Sequence, residues 1–200
     1  MAIERGSNVL SQAVLTANGL GVMRGDRTLF TGVRVSVCAR ELVLLRGQNG
    51  AGKTTLLRLL AGLSTAESGK VTRTAPHHWI GHRKGLKPHE TPATHLQHWA
   101  NAWGVEPDMV HTALEAVSLL RAADVPTGHL SQGQQHRTAL ARLLLQDRPL
   151  WLLDEPFAAM DDSGVAMIKS RIEQHCASGG AVIAAVHGDY GLTPSQEITL

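Results

Sequence analysis

The sequence predicts an α/β fold, a mostly parallel sheet covered by helices on both faces, and two observations carry that expectation. Short, wholly apolar runs recur at 42–45, 150–153 and 181–186, as fully buried strands require. Stretches with helical periodicity follow or separate them, at 53–61, 131–146 and 163–178, so strand and helix alternate along the chain.

In chain order, the opening stretch MAIERGSNVLSQAV carries an early acid and no apolar core, which argues against a secretory leader. Val33, Val35 and Val37 alternate with Arg34 and Ser36, the period-two pattern of a half-buried strand. Leu42 to Leu45 is the first buried strand, and a helix from Lys53 to about Ala61 follows it, stopped by Gly62. Residues 83–130 break the alternation, with two helical segments near 93–103 and 107–120 and no strand pattern. They read as a helical subdomain inserted into the α/β core of one domain spanning 1–200. Helix 131–146, strand 150–153, helix 163–178 and strand 181–186 complete the core.

Composition narrows the function. With 43% hydrophobic and 18% charged residues and a net charge of +2, the chain is globular, and its scattered basic residues give a nucleic-acid partner little support. Cys38 and Cys176 lie far apart without metal-ligand spacing, as expected of two unpaired thiols in a reducing compartment. No apolar stretch approaches the ~20 residues that cross a bilayer. A cytosolic chain is expected, reaching a membrane only through another protein.

Between the first buried strand and its helix, Gly47 to Thr54 fits G-x-x-x-x-G-K-[ST] in the context this motif requires. Glycines at 47, 50 and 52 let backbone N–H groups turn inward as a nest for phosphate oxygens, and the helix start adds partial positive charge there. The candidate nucleotide contacts are Gly47, Gln48, Asn49, Gly50, Ala51, Gly52, Lys53, Thr54 and Thr55. Lys53 is placed to reach the β- and γ-phosphates, and Thr54 to offer its hydroxyl to Mg²⁺. PLWLLDEPF (149–157) is a buried strand ending in two carboxylates. Alone this is a weak signal, since strands often end in charges. Beside 47–54 it supplies Asp154 for the Mg²⁺ shell and Glu155 to polarise an attacking water. A nucleoside triphosphate and Mg²⁺ are the ligands these motifs imply.

In LSQGQQHRTALARLLL (130–145), Ser131 and Gln134 form a capping box at a helix start. By itself this is an ordinary helix cap. About 20 residues before the Asp-Glu strand, however, LSQGQ resembles the signature motif of the ATP-binding subunits of ABC transporters, with Gln132 replacing a glycine. The resemblance covers nearly the whole chain and implies an ABC-type ATPase core with an N-terminal antiparallel β part. It further implies a dimer of two copies sandwiching two ATP molecules, Ser131, Gly133 and Gln134 of one copy closing over the nucleotide on Lys53 of the other. AAMD (158–161) resembles the loop crossing that interface, with Asp161 as its final acid and Ala158 in place of the usual serine. His187, one of eleven histidines, matches the switch histidine that senses the γ-phosphate.

Two positions depart from the family pattern. Arg83, in IGHRKGLK, stands where a glutamine normally meets Mg²⁺ and couples to the membrane partner, and arginine has no acceptor with which to ligate a metal. In GLGVMRGDRTLF no aromatic occupies the adenine-stacking position, and Arg24 is the candidate there.

GDRTLF, GHRKGLK, LSQGQQHRTALARL and DEPFAAMD together are most similar to the haem exporter ATP-binding subunits of cytochrome c maturation. That implies an integral membrane permease subunit as partner, a peripheral position on the cytoplasmic side of a bacterial inner membrane, and no direct contact with haem. His77 with His78, and His95 with His98, are read as solvated or partner-facing rather than as metal or haem ligands. Trp79, Trp99 and Trp103 are candidate docking residues for a cytoplasmic helix of the membrane subunit. The alternatives are an ATP-binding subunit for another small substrate, a soluble ABC-type ATPase and a GTPase-type switch. A single phosphate loop and a low net charge disfavour the soluble ATPase. The absence of an N-K-x-D-like guanine reader disfavours the GTPase.

Overall fold

The computed structural model describes residues 12–25 and 27–200, so the opening stretch that argued against a leader lies outside the described residues up to position 11. Strands β1 (Ala13–Arg24) and β2 (Arg27–Cys38) pair antiparallel, and the expected 33–37 strand is the distal half of β2. The buried run becomes β3 (Leu42–Arg46), followed by α1 (Lys53–Leu60). β4 (Ser68–Arg73) returns to the free edge of β1, giving a three-stranded sheet in the order β2-β1-β4.

A second sheet is parallel throughout. Its strands β5 (His77–Ile80), β6 (Leu150–Asp154), β7 (Ala181–Ala185) and β8 (Gln196–Thr199) join β3 in the order β5-β6-β7-β3-β8. Because successive side chains on a strand face opposite ways, each apolar run serves two cores. Val43, Leu45, Leu150, Leu152 and Ile183 face α1 and the antiparallel sheet. Leu42, Leu44, Trp151, Leu153 and Val182 face the helices of the other side. This double burial is why those runs show no polar alternation.

The other face is covered by α4 (Gln132–Ala141) and α5 (Asp162–Ala177) through Leu140, Ile168 and Ile172. α2 (Pro92–Trp103) and α3 (Asp108–Ala116) build a third cluster around Leu96, Ala100, Ala113 and Leu114, which the end of α4 joins through Ala141. Two helices are shorter than their periodicity suggests. α3 stops before Ser118, whose φ of 56° leaves the helical region, and a 3-10 turn at Leu120–Ala122 follows. α4 tightens into a 3-10 turn over Arg142–Leu144 instead of running to 146. Among the described residues no helix is long and apolar enough to cross a membrane.

Candidate functional site

Every element that the motifs singled out, apart from 131–134, meets at the carboxyl ends of the parallel strands, where ligands of open α/β sheets bind. Loop 47–54 follows β3, Asp154 and Glu155 close β6, and His187 stands two residues beyond β7.

The loop needs its glycines for two separate reasons. Gly47 has φ 140° and Gly52 φ 107°, conformations that side chains avoid. A Cβ on Gly47 would also meet the carbonyl of Leu200 at 2.7 Å, and one on Gly52 the Phe30 ring at 2.9 Å. The antiparallel sheet thus braces the loop from outside: Phe30 is packed beneath it, while Arg24 stays exposed at the end of β1. Lys53 begins α1 and is buried, its Nζ donating to the loop's own carbonyls at Gly47 (2.8 Å) and Gln48 (3.1 Å). Its ammonium is therefore held inside the curl of the loop.

Thr54 Oγ1 donates to Asp154 Oδ2 at 2.9 Å, across the 100 positions that separate the two motifs. Burial pushes the Asp154 carboxyl above its ordinary value, and the bonds from Thr54 and from the His82 backbone pull it back. A hydroxyl and a buried carboxylate at hydrogen-bond distance form an oxygen donor pair that suits a hard divalent cation such as Mg²⁺. Beyond that pair, no group of three or more His, Cys, Asp or Glu among the described residues could hold a metal.

Glu155 has φ 54°, a left-handed conformation that costs a non-glycine residue roughly 1–2 kcal/mol. The bend ends β6 while the Glu155 N–H still bonds to Ala185 O at 3.0 Å. The carboxylate comes to lie between two imidazoles, with His187 Nε2 3.1 Å from one oxygen and His82 Nδ1 3.4 Å from the other. His187 was legible as a family position. His82 was missed, and its only signal was its place immediately before Arg83.

Ser131, Gly133 and Gln134 are not joined to loop 47–54 within the chain. Ser131 Oγ accepts from Gln134 N at 3.1 Å, and Gln134 Oε1 accepts from Ser131 N at 2.9 Å, so the capping box is fully made. Gly133 lets this turn sit on the 156–160 loop, because a Cβ there would meet Ala159 O at 2.8 Å. His136, one turn on, donates from Nε2 to Pro156 O at 3.1 Å. Asp161 caps α5, accepting from Gly164 N at 2.9 Å and from the Ser163 hydroxyl at 3.1 Å, bonds that hold its carboxyl below the usual range.

Arg83 is exposed and makes no hydrogen bond to Thr54 or Asp154. It lines a groove between β5 and α2, alongside Trp99 and Trp103. Trp79 reaches the same groove while resting against the core beneath the antiparallel sheet. The paired histidines diverge. His78 donates to Gln146 O at 2.7 Å and is buried, whereas its neighbour His77 is half-buried. His95 is buried beside Trp99, and His98 is exposed 3.7 Å from Glu90.

Comparison with known proteins agrees with this geometry. The profile of the family described as ABC transporter matches residues 30–158. The cytochrome c biogenesis ATP-binding export protein CcmA of Hyphomonas neptunium is 50% identical over 192 residues, covering 96% of this chain and 99% of that protein. CcmA of Rhodopseudomonas palustris (strain HaA2) is 41% identical over 191 residues, covering 91% and 96% respectively. Among solved structures, an ABC transporter ATP-binding protein from Pyrococcus furiosus superposes with a TM-score of 0.80 at 23% identity, covering 93% of this chain and 96% of that one. That last likeness is one of fold.

Proposed function

The chain belongs to the ABC transporter family, and from that premise we propose that it is the ATP-hydrolysing subunit of a membrane complex of cytochrome c maturation, in the role of a haem exporter's motor. The observation that carries this reading is the near full-length 50% identity to a cytochrome c biogenesis ATP-binding export protein, in a chain whose Thr54–Asp154 bond joins the phosphate loop to the acidic strand end.

The division of labour follows from the residues. Lys53 exchanges the carbonyls of Gly47 and Gln48 for the phosphates of ATP, and the 47–54 N–H groups hold the negative charge that spreads over the γ-phosphoryl oxygens. Thr54 and Asp154 are the residues that would hold Mg²⁺, which when bound neutralises phosphate charge. Glu155 polarises the attacking water and takes its proton, and His187, already against that carboxylate, orients the pair. Ser131, Gly133 and Gln134 stay out of the intrachain site because they serve the other half of the sandwich, closing over ATP held on Lys53 of a second copy. Closure and reopening drive an integral membrane subunit, which docks near Trp79, Trp99 and Trp103 and holds the chain peripherally at the cytoplasmic face.

Glu155→Gln tests this reading. The amide keeps the shape but cannot accept the proton, so hydrolysis should stop while ATP and Mg²⁺ convert the protein to a dimer in size-exclusion chromatography. A monomer under those conditions counts against the sandwich.

A further inference from the structure

The groove between β5 and α2 has a volume of about 320 Å³ and an unusual lining: three tryptophans, four cationic side chains and no carboxylate. Trp99 and Trp103, one helical turn apart on α2, stand 5.0 Å centroid to centroid and form its aromatic wall. The Arg142 guanidinium lies 4.9 Å over Trp99, and that of Arg148 lies 4.7 Å over Trp103. Arg83 and Lys84 close the end nearest Glu155.

None of these four cations forms an ion pair among the described residues. Their hydrogen bonds go to neutral acceptors. Arg142 donates to Ala139 O, Arg148 to His77 O and the Gln146 amide, and Lys84 to the backbone and side chain of Gln132. Burial without a counter-ion pulls Arg142 down to about 10, and the field of these arginines helps burial keep His78 and His95 neutral. A half-buried guanidinium stacked on an indole has already lost much of its water, and a carboxylate arriving from another molecule would pair with it at little further desolvation cost.

Resting on the reading of this chain as a membrane-docked subunit, we propose that the groove receives an acidic, partly apolar segment of the membrane subunit. Its apolar side chains lie on Trp99 and Trp103, and its carboxylates pair with Arg142, Arg148 and Arg83. Arg83 thereby gains a function its chemistry permits. It cannot ligate a metal, but it can present a planar fork to a carboxylate.

Photocrosslinking in the intact membrane complex tests this. A photoreactive phenylalanine derivative replaces Trp103 or, in a second strain, the exposed Arg83, and mass spectrometry reads the captured peptide. A membrane-subunit segment carrying Asp or Glu supports the proposal. A segment of the same subunit with neither residue overturns the acidic chemistry and leaves the docking reading intact. Capture of lipid alone, of a second copy of this chain alone, or of nothing at either position overturns the docking reading itself. In parallel, Arg83→Glu with Arg148→Glu should lower recovery of the membrane subunit with the tagged chain at least tenfold, whereas Arg83→Lys with Arg148→Lys should restore most of it. Unchanged recovery with the glutamate pair, in a protein whose melting temperature is unaltered, also overturns the acidic chemistry.

Discussion

Acid should destabilise this protein well before its carboxylates titrate, and His78 supplies the means of showing it. Burial drives His78 and His95 from 6.5 down to about 4, so both imidazoles are neutral in the folded chain at any pH above that. In the unfolded chain they take up protons around 6.5. Between pH 6.5 and 4 the unfolded state therefore binds more protons, and stability falls as pH falls. The stabilisation is present in full above 6.5 and is lost on acidification through about 4. From pH 7 to pH 5, a shift of this size is worth about 2 kcal/mol for one imidazole, or roughly 3 kcal/mol for the two with some solvent screening. Glutamine at position 78 is never charged and can keep a donor to Gln146 O, the partner that His78 Nε2 reaches at 2.7 Å. Urea denaturation at pH 7, 6 and 5, followed by tryptophan fluorescence, should show the wild-type protein losing at least roughly 3 kcal/mol, since burial also holds His77, His136 and His175 below their ordinary value. His78→Gln should lose roughly 1.5 kcal/mol less than the wild-type protein. An identical pH dependence in the two proteins would mean that His78 is not held neutral by its surroundings, and the reasoning fails.

Two further perturbations test the site. Lys53→Ala removes the ammonium now held by Gly47 O and Gln48 O, and it should weaken ATP binding about 10- to 100-fold, the worth of charge-assisted bonds, with turnover falling in step. Titration of a fluorescent nucleotide measures it. Ser131→Ala should cost about 1 kcal/mol in thermal unfolding through loss of the cap alone. Ser131→Arg should in addition abolish the ATP-dependent dimer in sedimentation while the single subunit still binds nucleotide, and loss of binding too would place position 131 wrongly.

What the sequence revealed and what it hid divide along physical lines. β3, β6 and β7 were legible because both their faces are buried, which leaves an unbroken apolar run. β4 and β8 were not, because each is an edge strand, mostly exposed, with one partly buried apolar side chain apiece, Val71 and Ile198. β5 sets His77 with Trp79 on one face and His78 with Ile80 on the other, so His78 takes a buried position that hydropathy assigns to an apolar residue. β1 carries glycines at 19 and 21, which interrupt its alternation where the pairing with β2 slips. At the site, the phosphate loop and the Asp-Glu pair were visible because each is a contiguous motif. His82 beside Glu155, and Arg142 and Arg148 over the α2 tryptophans, were not, since each contact joins elements that are separated in the chain and meet only after folding.

The seating of α4 has a mechanical consequence. Its first turn rests on the loop that follows Glu155, through the close approach of Gly133 to Ala159 O and the bond from His136 to Pro156 O. Its far end continues into Arg142, whose guanidinium lies against Trp99 in the groove. The helix is ten residues long, a rigid strut of about 15 Å. Seated at both ends, it would act as a connecting rod: a displacement of the groove wall would push on the loop beside Glu155, and a movement of that loop would pull on the groove. Lengthening the rod by one residue would rotate its far end by about 100° and throw Arg142 off Trp99 while leaving both ends individually intact.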